Sequence, residues 1–481
     1  MNTKRYLCWA AEATFCALVT GCAAFSRGPI LPPEPLPTAS ILDLHCHVGG
    51  VGAGGSGCYA SPKLLQSSKM GFFLRSFGVT RKEAQEHGDA LCAERVSQAL
   101  AASRHVNRAV ILALDGPVDT GGNLDLARTQ LYVPNEFVAA LAAQHTNLLF
   151  GASINPYRPD SMARLEWAAT NGARLLKWVP SIMLIDPGDE RLTPFYQRLA
   201  GLRLPLLTHT GFEHAVPGAK DEFCDPERLR LPLSLGVTVI AAHASWPGHH
   251  HGERDVDRLA RLMQRYPNLY ADISSLTQIN KLGALRDVLR RPEFRHRLLY
   301  GTDFPFVNMP IMVSPWYFPL NLKFSQMWRI SRIRNPWDRD VALKQALGVP
   351  AEVFTQAEKL LRWDCVTEPR LPEPAGEVLP ERRASGGRPE PPPPPAPLPA
   401  SDRPAHTSRN DLHDLRRVIP VAAMSRSAAR SVLMCSGRPH RHPTPEAGSA
   451  TPYFAAILFN QSTLAEQRGF VFGLISIGEG A

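Results

Sequence analysis

The chain predicts an α/β fold, a (β/α)8 TIM barrel, and three observations carry that prediction. Short apolar runs recur at 41–46, 109–114, 148–154, 173–179, 204–209, 237–243, 269–273 and 298–301. Each is apolar on successive positions, as expected of strands covered on both faces. Segments with helical spacing separate the runs, and strand alternating with helix demands a parallel sheet with right-handed crossovers. Eight such repeats within about 260 residues match a closed barrel better than an open sheet.

The elements follow in chain order. Lys4 and Arg5 make a positive start, an apolar stretch covers 6–19, and Val19-Thr20-Gly21-Cys22 closes it. That tetrapeptide resembles a bacterial lipobox, which implies a signal peptide over 1–22 and lipidation of Cys22 as the first mature residue. The reading is of an exported protein, lipid-anchored in a bacterial envelope, with 23–40 as a stiff Pro-containing linker. Glu12 is a poor guest in an apolar segment and speaks for the alternative, a cytoplasmic enzyme. No later apolar run reaches the roughly 18 residues of a spanning helix.

The barrel domain covers 41–365. A long insertion, 48–92, follows its first strand and opens on the glycine-rich stretch Gly49-Gly50-Val51-Gly52-Ala53-Gly54-Gly55-Ser56-Gly57. Glycine freedom there suits a mobile cover over a site. The stretch lacks the strand-to-helix GxGxxG context, which excludes a dinucleotide loop. Helical patterning then occupies 93–106, 135–144, 160–170, 193–200, 255–266 and 280–289. Several of these open on a capping residue or a proline, as at Asp160 and Thr193-Pro194. After the eighth strand, 305–337 is rich in Pro and aromatic residues before a final helix near 338–361. Thirteen prolines fall between 369 and 404, five of them consecutive at 391–395. Such a stretch cannot pack a core, so 366–410 reads as a disordered Pro-rich linker. The tail 411–481 reads as disordered and carries no site chemistry.

Composition excludes several classes. A hydrophobic fraction of 44% with 20% charged residues rules out a fully disordered chain and a polytopic membrane protein. The net charge of +9 is diffuse: residues 366–481 hold thirteen Arg, no Lys and eleven acids, a net of only +2. No dense basic stripe tracks a phosphate backbone, so nucleic acid is not an expected partner. Nine cysteines without a CxxC pair exclude a zinc ribbon and a disulfide scaffold.

Candidate site residues follow from how the strands end. In Leu42-Asp43-Leu44-His45-Cys46-His47, side chains alternate, so His45 and His47 point the same way and Cys46 the opposite way. Later strands finish in Leu207-Thr208-His209, Ala241-Ala242-His243 and Gly301-Thr302-Asp303. A barrel gathers such strand ends on one rim. Four imidazoles and one carboxylate form an N/O set suited to a divalent metal, Zn²⁺ first among them. Glu213 and His214, just past the fifth strand, are candidates for supporting those residues or contacting substrate. Asp272 is a candidate for facing the barrel end of strand seven, and Asp115 for a turn after strand two. Arg75, Arg128 and Tyr132 lie in segments expected on the active-site face. The run His249-His250-His251 reads as a solvated loop.

The order HxH, Lys, His, His, Asp on strands one, four, five, six and eight resembles the amidohydrolase superfamily. Lys177-Trp178-Val179-Pro180, Thr208-His209-Thr210-Gly211-Phe212-Glu213-His214 and Gly301-Thr302-Asp303-Phe304-Pro305 are similar to its amidohydrolase-2 branch. That branch contains metal-dependent hydrolases and decarboxylases of aromatic acids, and the resemblance covers about 41–361. It implies that His45, His47 and His209 are metal ligands and that Asp303 binds metal and shuttles a proton. His243 would ligate a second ion, or polarise substrate and act as acid or base. Lys177 would be carboxylated and bridge two ions, or stay a cation able to bind a substrate carboxylate. One ion or two therefore both remain open.

The implied reaction is attack by a metal-activated water on an amide, lactone or related ester bond of a small molecule. A decarboxylase of an aromatic or unsaturated carboxylic acid on the same barrel is the alternative, and a non-catalytic lipoprotein binding module the second. The expected partners are a small-molecule substrate and, through the N-terminal anchor alone, a membrane. Assembly as a homodimer is left open.

Overall fold

The computed structural model describes Leu36, residues 41–213 and residues 219–361. The chain divides at Leu379 into two units, and every described residue belongs to the first. The expected signal peptide, the linker 23–40 apart from Leu36, the segments 366–410 and 411–481, Cys22 and His214 all lie outside the described residues.

Eight parallel strands form one sheet in sequence order: β1 Ile41–His47, β2 Val106–Leu112, β3 Leu148–Ala152, β4 Leu175–Trp178, β5 Leu206–His209, β6 Val239–Ala242, β7 Leu269–Asp272 and β8 Leu298–Leu299. Closure comes from the chain just beyond β8. Leu44 N donates to Tyr300 O (3.3 Å), Asp303 N to His45 O (2.9 Å) and His47 N to Phe304 O (3.0 Å). Gly301 lets the two ends approach, because a Cβ there would stand 2.9 Å from His45 Cβ. The sheet is therefore the expected TIM barrel.

Helices cover the outside: α1 Ala90–Ala101, α2 Asn135–Gln144, α3 Ser161–Thr170, α4 Thr193–Gly201, α5 Arg230–Ser234, α6 Asp255–Arg265, α7 Ala284–Leu289, α8 Pro336–Ala346 and α9 Ala351–Leu360. Several differ from the sequence expectation, and the stretch expected as helical over 280–289 is an α-helix only from Ala284, because the 3-10 turn Ile279–Lys281 and Gly283 at φ +89° precede it. The first helix ends before Val106, which already belongs to β2, and the short α5 carries no helical periodicity to read. The final helix is two, interrupted where Gly348 takes φ +95° and Pro350 follows. Glycine favours that left-handed backbone and proline cannot continue a helix, so both act as stops.

Two apolar layers hold the barrel. Inside it, Leu42, Leu44, Val110, Leu175, Leu207 and Ile240 belong to one buried cluster, closed off by Ala357 of α9 and by Leu361 just after it. Outward-facing Ile111, Phe150, Trp178, Val239 and Tyr300 pack in the larger cluster beneath the helices. Along β4 the alternation reads Leu175 in, Leu176 out, Lys177 in, and along β5 Leu207 in, Thr208 out, His209 in. The inner polar residues thus stand one step above the apolar filling.

The glycine-rich stretch is built around one carboxylate. Val51 N, Gly52 N, Ala53 N and Ser56 Oγ all donate to Asp89, at 2.8, 2.9, 3.1 and 2.5 Å. A Cβ on Gly50 would fall 2.1 Å from Asp89 Oδ2. Its glycines therefore admit a wrapped turn rather than a loose cover. The rest of the insertion packs on the segment after β8. Phe77 meets Phe304 at 5.6 Å between ring centroids, Phe72 stacks with Phe306 at 6.2 Å, and Asn308 Nδ2 donates to Ser76 O at 2.9 Å.

Candidate metal centre

The first strand needs a local irregularity to present both of its histidines. Asp43 pairs with Ala109 but Cys46 pairs with Ile111, so β1 spends one residue more than β2 across this step. That bulge shifts the alternation. Leu42 and Leu44 face the barrel interior, while Cys46 packs in the outer core and Asp43 turns to Trp337 and Thr302. Bulges near active sites commonly re-aim side chains in this way. Without it, Cys46 would share the inner face with Leu42 and Leu44.

At the carboxyl rim, His45 is the hub. Its Nε2 lies 3.2 Å from His47 Nε2, 3.0 Å from Lys177 Nζ and 3.5 Å from Asp303 Oδ1. Asp303 Oδ1 is also 3.2 Å from His47 Nε2. On the other side of the ring, His45 Nδ1 lies 2.8 Å from Asp272 Oδ2. An ionised carboxylate only accepts, so the proton sits on Nδ1 and the Nε2 lone pair faces the cluster. His243 stacks on His45 with ring centroids 5.1 Å apart, and His209 meets His243 edge-on, also at 5.1 Å. The structure thus gathers His45, His47, Lys177, His209, His243 and Asp303 at one mouth.

Asp272 joins them as a support. It accepts from His45 Nδ1, His243 N, Ser274 N and Ser274 Oγ. Sequence reading offered it only as a candidate; the visible signal was the polar residue two steps beyond an inward Tyr270. Ser274, Ser275 and Lys281 were not anticipated. His243 Nδ1 lies 3.1 Å from Ser274 O and 3.0 Å from Ser275 Oγ. Lys281 Nζ donates to that same Ser275 Oγ at 2.5 Å. Lys281 is buried and, among the described residues, pairs with no carboxylate. It ends the 3-10 turn Ile279–Lys281, inside the stretch expected as a helix over 280–289, and nothing local marks its side chain as inward.

Burial sets the protonation states. Burial, then the charge of Lys177, pushes the His45 imidazole down to about 4, so the ring is neutral near pH 7. Burial also lowers His209 and, with the charge of Lys281, lowers His243 well below the usual imidazole value. It brings the Lys177 amine down to about 8. Burial opposes ionisation of Asp272 and Asp303, yet the imidazoles around them hold both carboxyls well below the ordinary range. The backbone is strained at the same place: His243 takes φ +57°, Ser275 φ +57° and Asp303 φ +61°. Left-handed backbone at such residues costs of order 1–3 kcal/mol each and gathers at functional sites.

The donor set fits a divalent ion. His45 Nε2, His47 Nε2 and an Asp303 oxygen lie within 4.8 Å of one another, as do donor atoms of His45, His243 and Asp272. Around the neutral His45 ring a second imidazole and an ionised carboxylate bring their ligand atoms together, an arrangement that a shared cation stabilises. His209 Nε2 is buried without a hydrogen-bond partner among the described residues, its nearest acid oxygen being Glu213 Oε2 at 3.7 Å. An orphaned imidazole nitrogen beside this cluster is what a ligand position looks like before its ion is counted.

The remaining candidates divide. Glu213 sits against His209, as just described. Arg75 is exposed on helix Ser68–Ser76, with no contact to the cluster among the described residues. Arg128 pairs with Asp125 (2.6 Å), and buried Asp115 makes a two-pronged ion pair with Arg158 (2.8 and 2.6 Å). His249 and His251 are exposed, but His250 is not a solvated loop residue. Its Nδ1 bonds Asp255 at 2.8 Å and its Nε2 bonds Asp221 O at 3.0 Å. Asp225, His250 and Asp255 also bring donor atoms together. There, however, Arg258 already neutralises Asp225 through two bonds, at 3.0 and 2.8 Å, and both His250 nitrogens are engaged.

Residues 104–324 match the family model described as Amidohydrolase. The matched stretch contains Lys177, His209, His243, Asp272 and Asp303, while His45 and His47 precede it. No curated protein matches the chain. Among solved structures, an uncharacterized TIM-barrel protein from Bordetella bronchiseptica is 20% identical, with 64% of this chain and 99% of that chain covered and a TM-score of 0.41. A putative 2-pyrone-4,6-dicarboxylic acid hydrolase from Pseudomonas putida is 14% identical, with 67% and 97% covered and a TM-score of 0.38. A 5-carboxyvanillate decarboxylase from Novosphingobium aromaticivorans with bound manganese is 12% identical, with 66% and 97% covered and a TM-score of 0.34.

Proposed function

Taking the amidohydrolase match over 104–324 as premise, we propose that the chain is a metal-dependent hydrolase. It cleaves an amide, lactone or related ester bond of a small molecule. One observation carries the proposal: the neutral His45 ring, His47, ionised Asp303 and the orphaned His209 Nε2 meet at the barrel mouth. His45, His47, His209 and Asp303 are the residues to hold a divalent ion, Zn²⁺ in our reading. When bound, such an ion supplies the charge that polarises a carbonyl and acidifies water.

The chain's own groups do the rest. Asp303 is ionised and faces the ligand nitrogens, so it takes a proton from the attacking water and returns it to the leaving atom. Ser274 O accepts from His243 Nδ1, which leaves the His243 Nε2 lone pair for a second ion or for a proton. Asp272 holds His45 and the backbone of His243 in register with each other. Lys177, brought down to about 8, is uncharged in about one molecule in ten at pH 7, far more often than an ordinary lysine. That amine is the form that carboxylation on Nζ requires, which favours the two-ion hydrolytic version.

A second reading is favoured by one observation. Lys281 is a buried cation without a carboxylate partner among the described residues, two hydrogen bonds away from His243. It would suit the acid group of an aromatic or unsaturated carboxylic acid undergoing decarboxylation. The test loads the full chain with Zn²⁺ and offers it lactones, amides and aromatic acids while following acid release and CO₂. Hydrolysis that disappears in Asp303→Asn is the expected result. CO₂ release from an aromatic acid, with no bond hydrolysed, would replace the proposal by the second reading.

A further inference from the structure

The segment after β8 carries a surface that neither the barrel nor the metal centre uses. Between 304 and 337 the chain has no Asp or Glu, but it has Lys323, Arg329, Arg332 and Arg334. Helix Phe324–Ser331 is anchored on one side, where Met327 and Ile330 pack with Val313, Phe318 and Leu322. Its solvent side carries two aromatic rings among Ser325, Arg329 and Ser331. Phe324 and Trp328, one turn apart, stand 68% and 48% exposed, and Ile311 and Trp316 stand 56% and 41% exposed. Trp316 meets Phe324 edge-on at 5.5 Å between ring centroids. The Arg332 guanidinium lies over the Trp328 ring at 4.6 Å. Single exposed apolar side chains are ordinary, whereas a contiguous aromatic patch on a rigid element marks an interaction surface.

We propose that this face docks on an anionic phospholipid membrane surface. Tryptophan and phenylalanine rings settle at the boundary between headgroups and acyl chains, and cations unopposed by acids attract anionic headgroups. A helix that is fixed by one apolar face and turns two exposed aromatic rings to solvent beside Lys and Arg has the composition of an interfacial element. A second copy of the chain fits less well. A symmetric contact would bring the same four cations against each other with no acid in the segment to pair them. A lipid on Cys22, expected from the sequence, would bring the face to the same bilayer, but the docking does not depend on it.

The test uses the full chain with Cys22→Ser, which cannot be lipidated. Phosphatidylcholine vesicles, with and without phosphatidylglycerol, are sedimented at low and high salt. The parent chain is expected to bind vesicles containing phosphatidylglycerol and to release at high salt. The pair Phe324→Ser/Trp328→Ser, and separately Arg329→Gln/Arg332→Gln/Arg334→Gln, should each weaken binding roughly tenfold or more, with bound zinc unchanged as the check on folding. The proposal is overturned if the parent does not bind these vesicles, or if both variants bind as the parent does. It is equally overturned if ultracentrifugation finds a dimer that the aromatic variant dissociates while its vesicle binding is unaltered.

Discussion

Asp272→Asn exchanges one oxygen for an NH₂ group, and the structure dictates where that group must go. In the native site one carboxylate oxygen, Oδ1, accepts from His243 N (2.9 Å), Ser274 N (3.0 Å) and Ser274 Oγ (2.5 Å). Backbone N–H groups can only donate, so the asparagine oxygen must keep that position. Its nitrogen then faces His45 Nδ1 across the 2.8 Å formerly spanned to Oδ2. A donor facing a donor is untenable, and His45 responds by moving its proton to Nε2. The proton now stands between His47 Nε2, 3.2 Å away, and Lys177 Nζ, 3.0 Å away, which must turn aside, and the ligand lone pair is gone. Losing a charge-assisted hydrogen bond costs about 1.5–3 kcal/mol. Changing the partner behind a ligating imidazole typically costs 10–100-fold in metal affinity, or about 1.4–2.7 kcal/mol. The two figures agree. Competition between the full chain and a chromophoric chelator for Zn²⁺ should therefore give a dissociation constant raised roughly 10–100-fold. The metal-free chain should melt at a lower temperature, by what a loss of about 1.5–3 kcal/mol produces. Unchanged affinity in Asp272→Asn would refute both the tautomer and the role given to His45.

Other consequences are open to direct measurement. His45→Ala and Asp303→Asn should each abolish metal retention or turnover while circular dichroism stays native, because both side chains sit above the apolar filling; full activity in Asp303→Asn would contradict its proton-carrying role. Trp337→Ala should cost about 3–5 kcal/mol in urea unfolding, since the ring is fully buried, stacks on Phe304 at 4.6 Å and donates to Asp43 at 2.9 Å. A loss below about 1 kcal/mol would show that the β1–β8 seam does not depend on it. For His250, burial works against the charge, but the hydrogen bond to Asp255 outweighs it and raises the folded pKa above the ordinary value. Its stabilisation is therefore present below an unfolded pKa of about 6.5 and lost as pH rises through the folded value. The stability gap between the native chain and His250→Gln should narrow between roughly pH 6 and pH 8, and a gap that widens would reverse the assignment.

Much of this molecule was legible before its coordinates. Eight apolar runs with helical segments between them specify a parallel barrel. Strands ending in His209, His243 and Asp303 mark the residues that gather at its rim, because in such a fold every strand delivers its end to the same place. That His45 and His47 share one direction while Cys46 takes the other was also readable from strand alternation alone.

Which direction that is was not. The bulge between Asp43 and Cys46 decides it, and the bulge exists only through the register of β1 against β2, residues more than sixty positions away. Asp272 looks in sequence like any acid at a strand end; pairing of β7 beside β6 brings it behind His45 and His243. Lys281 falls at the start of the patterned stretch 280–289 and reads there like any surface lysine, since its burial depends on the fold around Ser275. The glycine-rich stretch reads as freedom until Asp89 arrives to fill it. Local side-chain pattern determines which residues a strand can present together, a short-range property written into the chain. Closure of the barrel and the register of its neighbours determine what those residues face, and these are long-range contacts that only the folded molecule makes.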